Sequence, residues 1–184
     1  MSKEFIKRLL SSLALVPLVL FFVINGAYYF IFFILVVSII SIYEWYLMSK
    51  NKAYKIPGII FLIFSFYTAY YLRNEMYGDY LYFIVIIFIC ISTDIGGYTF
   101  GKIFKGPKLT KISPNKTYAG MLGGFILSFI FGIIYLKNLT FFLLSDTDGE
   151  IGMEIIIIIF LVSLISQIGD LIISLFKRKS NIKN

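Results

Sequence analysis

Six apolar runs follow one another with little between them: Phe5–Ile24, Ala27–Met48, Ile56–Leu72, Tyr80–Gly101, Thr117–Leu136 and Ile151–Phe176. Each is near the ~20 residues that a helix needs to cross a hydrocarbon layer. A soluble domain of 184 residues cannot bury the surface of a chain that is 59% hydrophobic, 15% charged and +0.89 in mean hydropathy. The runs are continuous and do not alternate, which excludes an outer-membrane barrel along with disorder and collagen-like repeats. The expected fold is therefore all-α: a polytopic integral membrane protein of about six transmembrane helices, with residues 1–184 forming one transmembrane domain. The first run is too long for a signal-peptide core and lacks a small-residue cleavage site. It turns at Asn25-Gly26 straight into the second run, so it is expected to be retained.

The charges then give orientation. Seventeen Lys and Arg face ten Asp and Glu, a formal excess of +7. The N-terminal segment carries Lys3, Lys7 and Arg8, and the loop after run two carries Lys50, Lys52 and Lys55. Lys102, Lys105, Lys108, Lys111 and Lys116 follow run four, and Lys177, Arg178, Lys179 and Lys183 follow run six. That places 15 basic residues on one face and only Arg73 and Lys137 on the other. Both termini are accordingly expected in the cytoplasm, which demands an even number of spans. The excess reports orientation, so no nucleic-acid partner is expected.

There is no histidine, and the lone Cys90 lies inside an apolar run. Disulfides and Cys/His metal sites are excluded, and any metal must be held by oxygen ligands. The polar residues that enter the bilayer are few. Run four is broken by Ser92-Thr93-Asp94-Ile95-Gly96-Gly97-Tyr98, and run six by Ser166-Gln167-Ile168-Gly169-Asp170 and then Ser174. An ionisable side chain in a span costs roughly 2.5–3.5 kcal/mol on insertion scales, so each needs a partner or a purpose. At 1.5 Å per residue Asp94 and Asp170 both lie roughly 9–11 Å inside the cytoplasmic ends of their helices. Glu44 sits slightly shallower in the same layer. Gln167, Asp170, Ser174 and Lys177, spaced by 3, 4 and 3, form one helical stripe with Arg178 at its edge. Gly97 and Gly101 share a face with Asp94 and would admit another helix or a ligand close to the acid. The plainer role for the acids is to neutralise a cation or to bond helix to helix.

Between runs four and five a lysine-rich loop contains a Gly106-Pro107 turn and Ser113-Pro114-Asn115-Lys116-Thr117. Lys102, Lys105 and Lys108 read as positive-inside residues near lipid headgroups. Asn115 or Thr117 can cap the fifth helix, leaving first-turn N–H groups beside Lys116, a combination that suits phosphate. No Walker loop is present. Two acids able to share a divalent metal, near a cationic helix start, suit phosphoryl or nucleotidyl transfer, in which positioning and charge neutralisation do most of the catalysis.

These blocks, Ser92 to Tyr98, Ser113 to Thr117, and Ser166 to Leu171 with Ser174 and Lys177-Arg178, resemble three blocks of the phosphatidate cytidylyltransferase (CDP-diacylglycerol synthase) family in the same order. Glu44-Trp45 resembles an acid-aromatic pair of its early spans. The resemblance implies an inner-membrane enzyme of phospholipid biosynthesis that joins CTP and phosphatidate with Mg²⁺, giving CDP-diacylglycerol and pyrophosphate. It implies Asp94 and Asp170 as metal ligands, with Lys116, Lys177 and Arg178 on phosphates. Ser113 and Asn115 would orient the nucleotide, and Gln167 and Ser174 would complete the metal shell or position the acids. A homodimer is left open. The family signature continues past Lys-Arg with Lys-Asp and a Pro-Gly-His-Gly-Gly stretch, whereas here Asn184 stands at the Asp and Ala119 where Glu is frequent. A C-terminally truncated member is therefore expected. Two other readings use the same acids: a CTP-dependent polyprenol kinase, and a small cation or solute carrier. The kinase would want a base near its hydroxyl, and no internal repeat supports the carrier.

Overall fold

The computed structural model describes residues 15–75, 80–110, 113, 116–143 and 153–180, with the backbone alone at 27 and 137–143. The expected residues Lys3, Lys7, Arg8, Lys111, Asn115, Lys183 and Asn184 lie outside them. The described structure is helical: α1 over Leu15–Asn25, α2 Ala27–Met48, α3 Lys55–Asn74, α4 Tyr80–Phe104, α5 Tyr118–Leu143 and α6 Met153–Lys179. Five of these, α2 to α6, are long and apolar enough to cross a membrane. The protein is a polytopic helical membrane protein, as the runs predict, and α2 has the expected bounds. It divides into two compact units between Ile84 and Val85.

In the first unit, α1 ends where Gly26 takes φ +56°, a left-handed value that glycine adopts without strain. The predicted Asn25-Gly26 turn is thus a single residue between two helices. Arg73, in the last turn of α3, closes it. Its Nε and Nη2 donate to the Val23 carbonyl at 3.0 and 2.8 Å, and Nη2 also reaches the Ile24 carbonyl at 3.3 Å. A guanidinium on the last carbonyls of a helix satisfies acceptors that have no partner within the helix and meets the negative end of its dipole. At the other end of α2, the Trp45 indole is buried and donates to the Lys55 carbonyl at 3.1 Å. That bond fastens the α2–α3 turn, where Asn51 is left-handed at φ 60°. Gly58 fits against the indole so closely that a Cβ there would overlap it. α3 itself buries no residue, as expected where lipid rather than water bathes apolar side chains.

In the second unit, α4 and α5 meet through glycine. A Cβ on Gly96 would collide with the Gly123 carbonyl oxygen, and one on Gly120 would lie 2.6 Å from the Gly97 carbonyl oxygen and 3.3 Å from Gly101 Cα. Lipid tails give apolar helices no reason to prefer each other, so such close backbone approach supplies the packing that holds spans together. α5 and α6 meet where Ile159, fully buried, fills the space left by Gly132, and where Phe125 stacks on Phe160 at 5.1 Å.

Candidate functional site

α4 stops at Phe104, and Lys105 and Gly106 turn the chain with φ 51° and 91°. The loop then folds back on itself. Lys108 and Thr117 form an antiparallel bridge, the Leu109 N–H donates to the Lys116 carbonyl at 2.8 Å, and the Lys116 N–H donates to the Ser113 carbonyl at 3.0 Å. Lys116 therefore has a fixed backbone from which only its four-carbon stem can swing. Thr117 caps α5, its hydroxyl accepting from the Gly120 N–H at 3.1 Å, as the sequence allows. The expected phosphate site at this helix start is narrower than the sequence suggests. The Tyr118 N–H already donates to the Pro107 carbonyl at 3.2 Å, so with Gly120 two first-turn donors are engaged inside the protein.

The Lys116 ammonium reaches Asp170 on α6, Nζ to Oδ2 at 3.0 Å, with the two side chains 29% and 59% exposed. Asp94, Lys116, Gln167 and Asp170 line one cavity of about 400 Å³, closed by Gly97, Gly120 and Thr117 and flanked by Tyr98. Two acids 76 residues apart in sequence thus open on the same space. Lys116 and Asp170 act electrostatically on Asp94. The Gln167 amide donates to the Met121 carbonyl on α5 at 3.4 Å, a long bond across the helix interface. Thr93, which also lines the cavity, meets Ser163 through their hydroxyls at 2.9 Å between α4 and α6.

The rest of the expected stripe does not reach the cavity. The Ser174 hydroxyl donates to the Asp170 carbonyl of its own helix at 2.7 Å, the usual back-bonding of a helical serine. Lys177 and Arg178 occupy the last turn of α6, beyond the cavity lining, where they suit the helix dipole. Ser113 holds the loop through its backbone and is likewise outside the lining. Glu44 is exposed on α2 in the first unit. The close approach expected at Gly97 and Gly101 is made by α5, and Gly97 also lines the cavity beside Asp94. Sequence reasoning placed Thr93 and Tyr98 in the block around Asp94 but gave neither of them, nor Gly120, a role at the site. Tyr98 follows Asp94 by one turn and has the Lys102 ammonium 5.6 Å from its ring centre. The Gly120, Gly123 and Gly124 series at the start of α5 was the available sign of α4's partner.

The donor set is oxygen, which suits a hard divalent cation. Among the described residues no three Asp, Glu, His or Cys cluster together, so two carboxylates are what the cavity offers. Mg²⁺ fits that set, since it commonly keeps several waters and binds one or two carboxylates together with substrate phosphates.

Fold and cavity together define a polytopic membrane protein that sets two carboxylates and a lysine around one pocket at a helix start. The cytidylyltransferase family model matches residues 6–90 and 59–184. The phosphatidate cytidylyltransferase of Rickettsia conorii is 30% identical over 186 residues, covering 96% of this chain and 77% of the relative. That of Rickettsia felis is 29% identical over 183 residues, covering 96% and 78%. That of Staphylococcus haemolyticus is 33% identical over 144 residues, covering 74% and 52%. No solved structure matches the chain. The chain belongs to the cytidylyltransferase family.

Proposed function

We propose that this protein transfers the cytidylyl group of CTP to phosphatidate at the cytoplasmic leaflet of the inner membrane, giving CDP-diacylglycerol and pyrophosphate. The observation that carries the reading is the cavity that Asp94, Asp170 and Lys116 line together. The relatives named phosphatidate cytidylyltransferase support the substrate pair. In the reaction an oxygen of the lipid phosphate forms a bond to the α-phosphorus of CTP, and the bond from that phosphorus to the α,β-bridging oxygen breaks. The attacking phosphate is already an anion, so a chain without histidine needs no strong base. Asp94 and Asp170 would hold Mg²⁺, which supplies charge neutralisation on the phosphate oxygens. Lys116 moves its ammonium from Asp170 to the triphosphate, and its pinned backbone keeps that movement local. Gln167 holds α6 against α5 beside the acids. Lys177 and Arg178, about two turns beyond Asp170, supply positive potential that draws anionic substrates to the inner surface. Ser113 shapes the loop that presents Lys116, and Asn115 is assigned to the nucleotide.

The test is label transfer in membranes holding the protein, with phosphatidate and CTP labelled at either the α- or the γ-phosphate. The α-label is expected in the lipid extract and the γ-label in pyrophosphate. γ-Label in a lipid would instead indicate the polyprenol kinase, and no CTP-dependent lipid label at all would end the enzyme reading. Asp94→Asn and Asp170→Asn should each lower α-label transfer at least about a hundredfold, the scale of a lost metal contact worth several kcal/mol. Wild-type turnover in either variant removes that acid from the site.

A further inference from the structure

On α6, Ser163, Gln167 and Asp170 follow at spacings of four and three and form one stripe. Each meets a different partner: Ser163 the Thr93 hydroxyl of α4, Gln167 the Met121 carbonyl of α5, and Asp170 the Lys116 ammonium. The first contact is the most enclosed of the three, with Thr93 at 1% and Ser163 at 0% exposure. It joins the two helices that carry the acids, and Thr93 is the residue before Asp94.

We propose that the Thr93–Ser163 hydroxyl pair is a positioning device, fixing the axial register of α4 against α6 so that Asp94 and Asp170 open on one cavity. The hydrogen-bond chemistry makes it directional. Thr93 Oγ1 lies 2.8 Å from the Ile89 carbonyl oxygen and 2.9 Å from Ser163 Oγ. A hydroxyl donates one proton and accepts from others, so both contacts of Thr93 are met when Thr93 donates to the carbonyl and Ser163 donates to Thr93. A slide of one helix along the other by a single residue rise, about 1.5 Å, would break that bond and leave a buried hydroxyl to find another partner. Apolar contacts on either side would tolerate the same slide, because lipid-facing isoleucines carry no register. Thr93 also lines the cavity, but its hydroxyl is engaged with the Ile89 carbonyl and Ser163, so the effect of the pair passes through Asp94 and Asp170.

The proposal rests on the metal role given to the acids above, and binding of Mn²⁺ to the detergent-solubilised full chain tests it. Free Mn²⁺ is read by its paramagnetic resonance signal, which gives affinity and number of sites separately. Ser163→Ala leaves Thr93 bonded to Ile89 and strips only the bond between helices. It should weaken Mn²⁺ affinity about threefold, the scale of one hydrogen bond between membrane helices, with the number of sites unchanged. Thr93→Val, which keeps shape, should do the same. The double variant should be no weaker than either single one, and Thr93→Ser should bind as the wild type does. A purely structural role would lower the number of sites and leave the affinity of those remaining intact, which would overturn the proposal. So would wild-type affinity in Ser163→Ala, or additive losses in the double variant, and either result leaves the transferase reading standing if α-label transfer persists. Absence of any Mn²⁺ binding by the wild-type chain overturns the proposal together with the metal role of the acids, and the transferase reading then stands or falls separately on α-label transfer.

Discussion

The proposed function gives Lys116 a second role beside its ion pair, and a substitution can separate the two. As an ion pair of which one partner is more than half exposed, its link to Asp170 is worth at most about 1 kcal/mol to the fold. As the cation nearest the acids, it is placed to hold phosphate. Lys116→Gln should therefore shift thermal unfolding in detergent by little while lowering α-label transfer at least about tenfold, the effect of a charge-assisted bond made in the transition state. It should also bind Mn²⁺ more tightly, since the carboxylate no longer has a competing ammonium. A large loss of stability with normal transfer would reverse these assignments. Asp94 and Asp170 were readable in the sequence because a charge in an apolar run demands a reason, and Lys116 because it stands at the start of the fifth helix. Their partners were not. Gln167 reaches a backbone carbonyl and Arg73 reaches two, and a carbonyl leaves no trace in a sequence.

Between elements, glycine decides distance. Gly96 stands where any side chain would strike the backbone of α5, whereas a Cβ on Gly169 would meet nothing within 4 Å. Gly96→Ala should destabilise the protein by about 1–3 kcal/mol through overpacking, and Gly169→Ala should be neutral or stabilise by up to about 1 kcal/mol. Thermal unfolding of the two variants in the same detergent checks both signs, and equal effects would discard the crossing as described. Nothing in the structure explains the glycine at 169. The limits of α2, α3, α4 and α6 were legible to within three residues because apolar runs end where water begins, whereas α5 runs seven residues past its expected end at Leu136. The phase of the α6 stripe was also legible, but its reach was not: the periodicity that places Gln167 and Asp170 at the cavity also lists Ser174 and Lys177, which lie past the point where α5 begins to wall it. The pairing of Lys108 with Thr117 escaped for another reason, since a single bridge has no alternation to read.

For the whole molecule, the expected orientation rests on the lysines of the loops. In a Cys90→Ala background, Lys105→Cys should react with a membrane-impermeant maleimide only after the cells are opened. Glu75→Cys, at the C-terminus of α3 and before the span that leads to Lys105, should react in intact cells. Equal labelling of the two would overturn the assigned sidedness. The division at Ile84 and Val85 was not legible, because a continuous apolar helix, α4, runs through it.

The chain has one tryptophan, and it is the buried indole that donates to Lys55 in the first unit. Intrinsic emission excited at the red edge is therefore a private channel to that unit, while the aromatic residue lining the cavity of Asp94 and Asp170 is Tyr98. Any wavelength change when a nucleotide or lipid is added would be news that the first unit has taken notice.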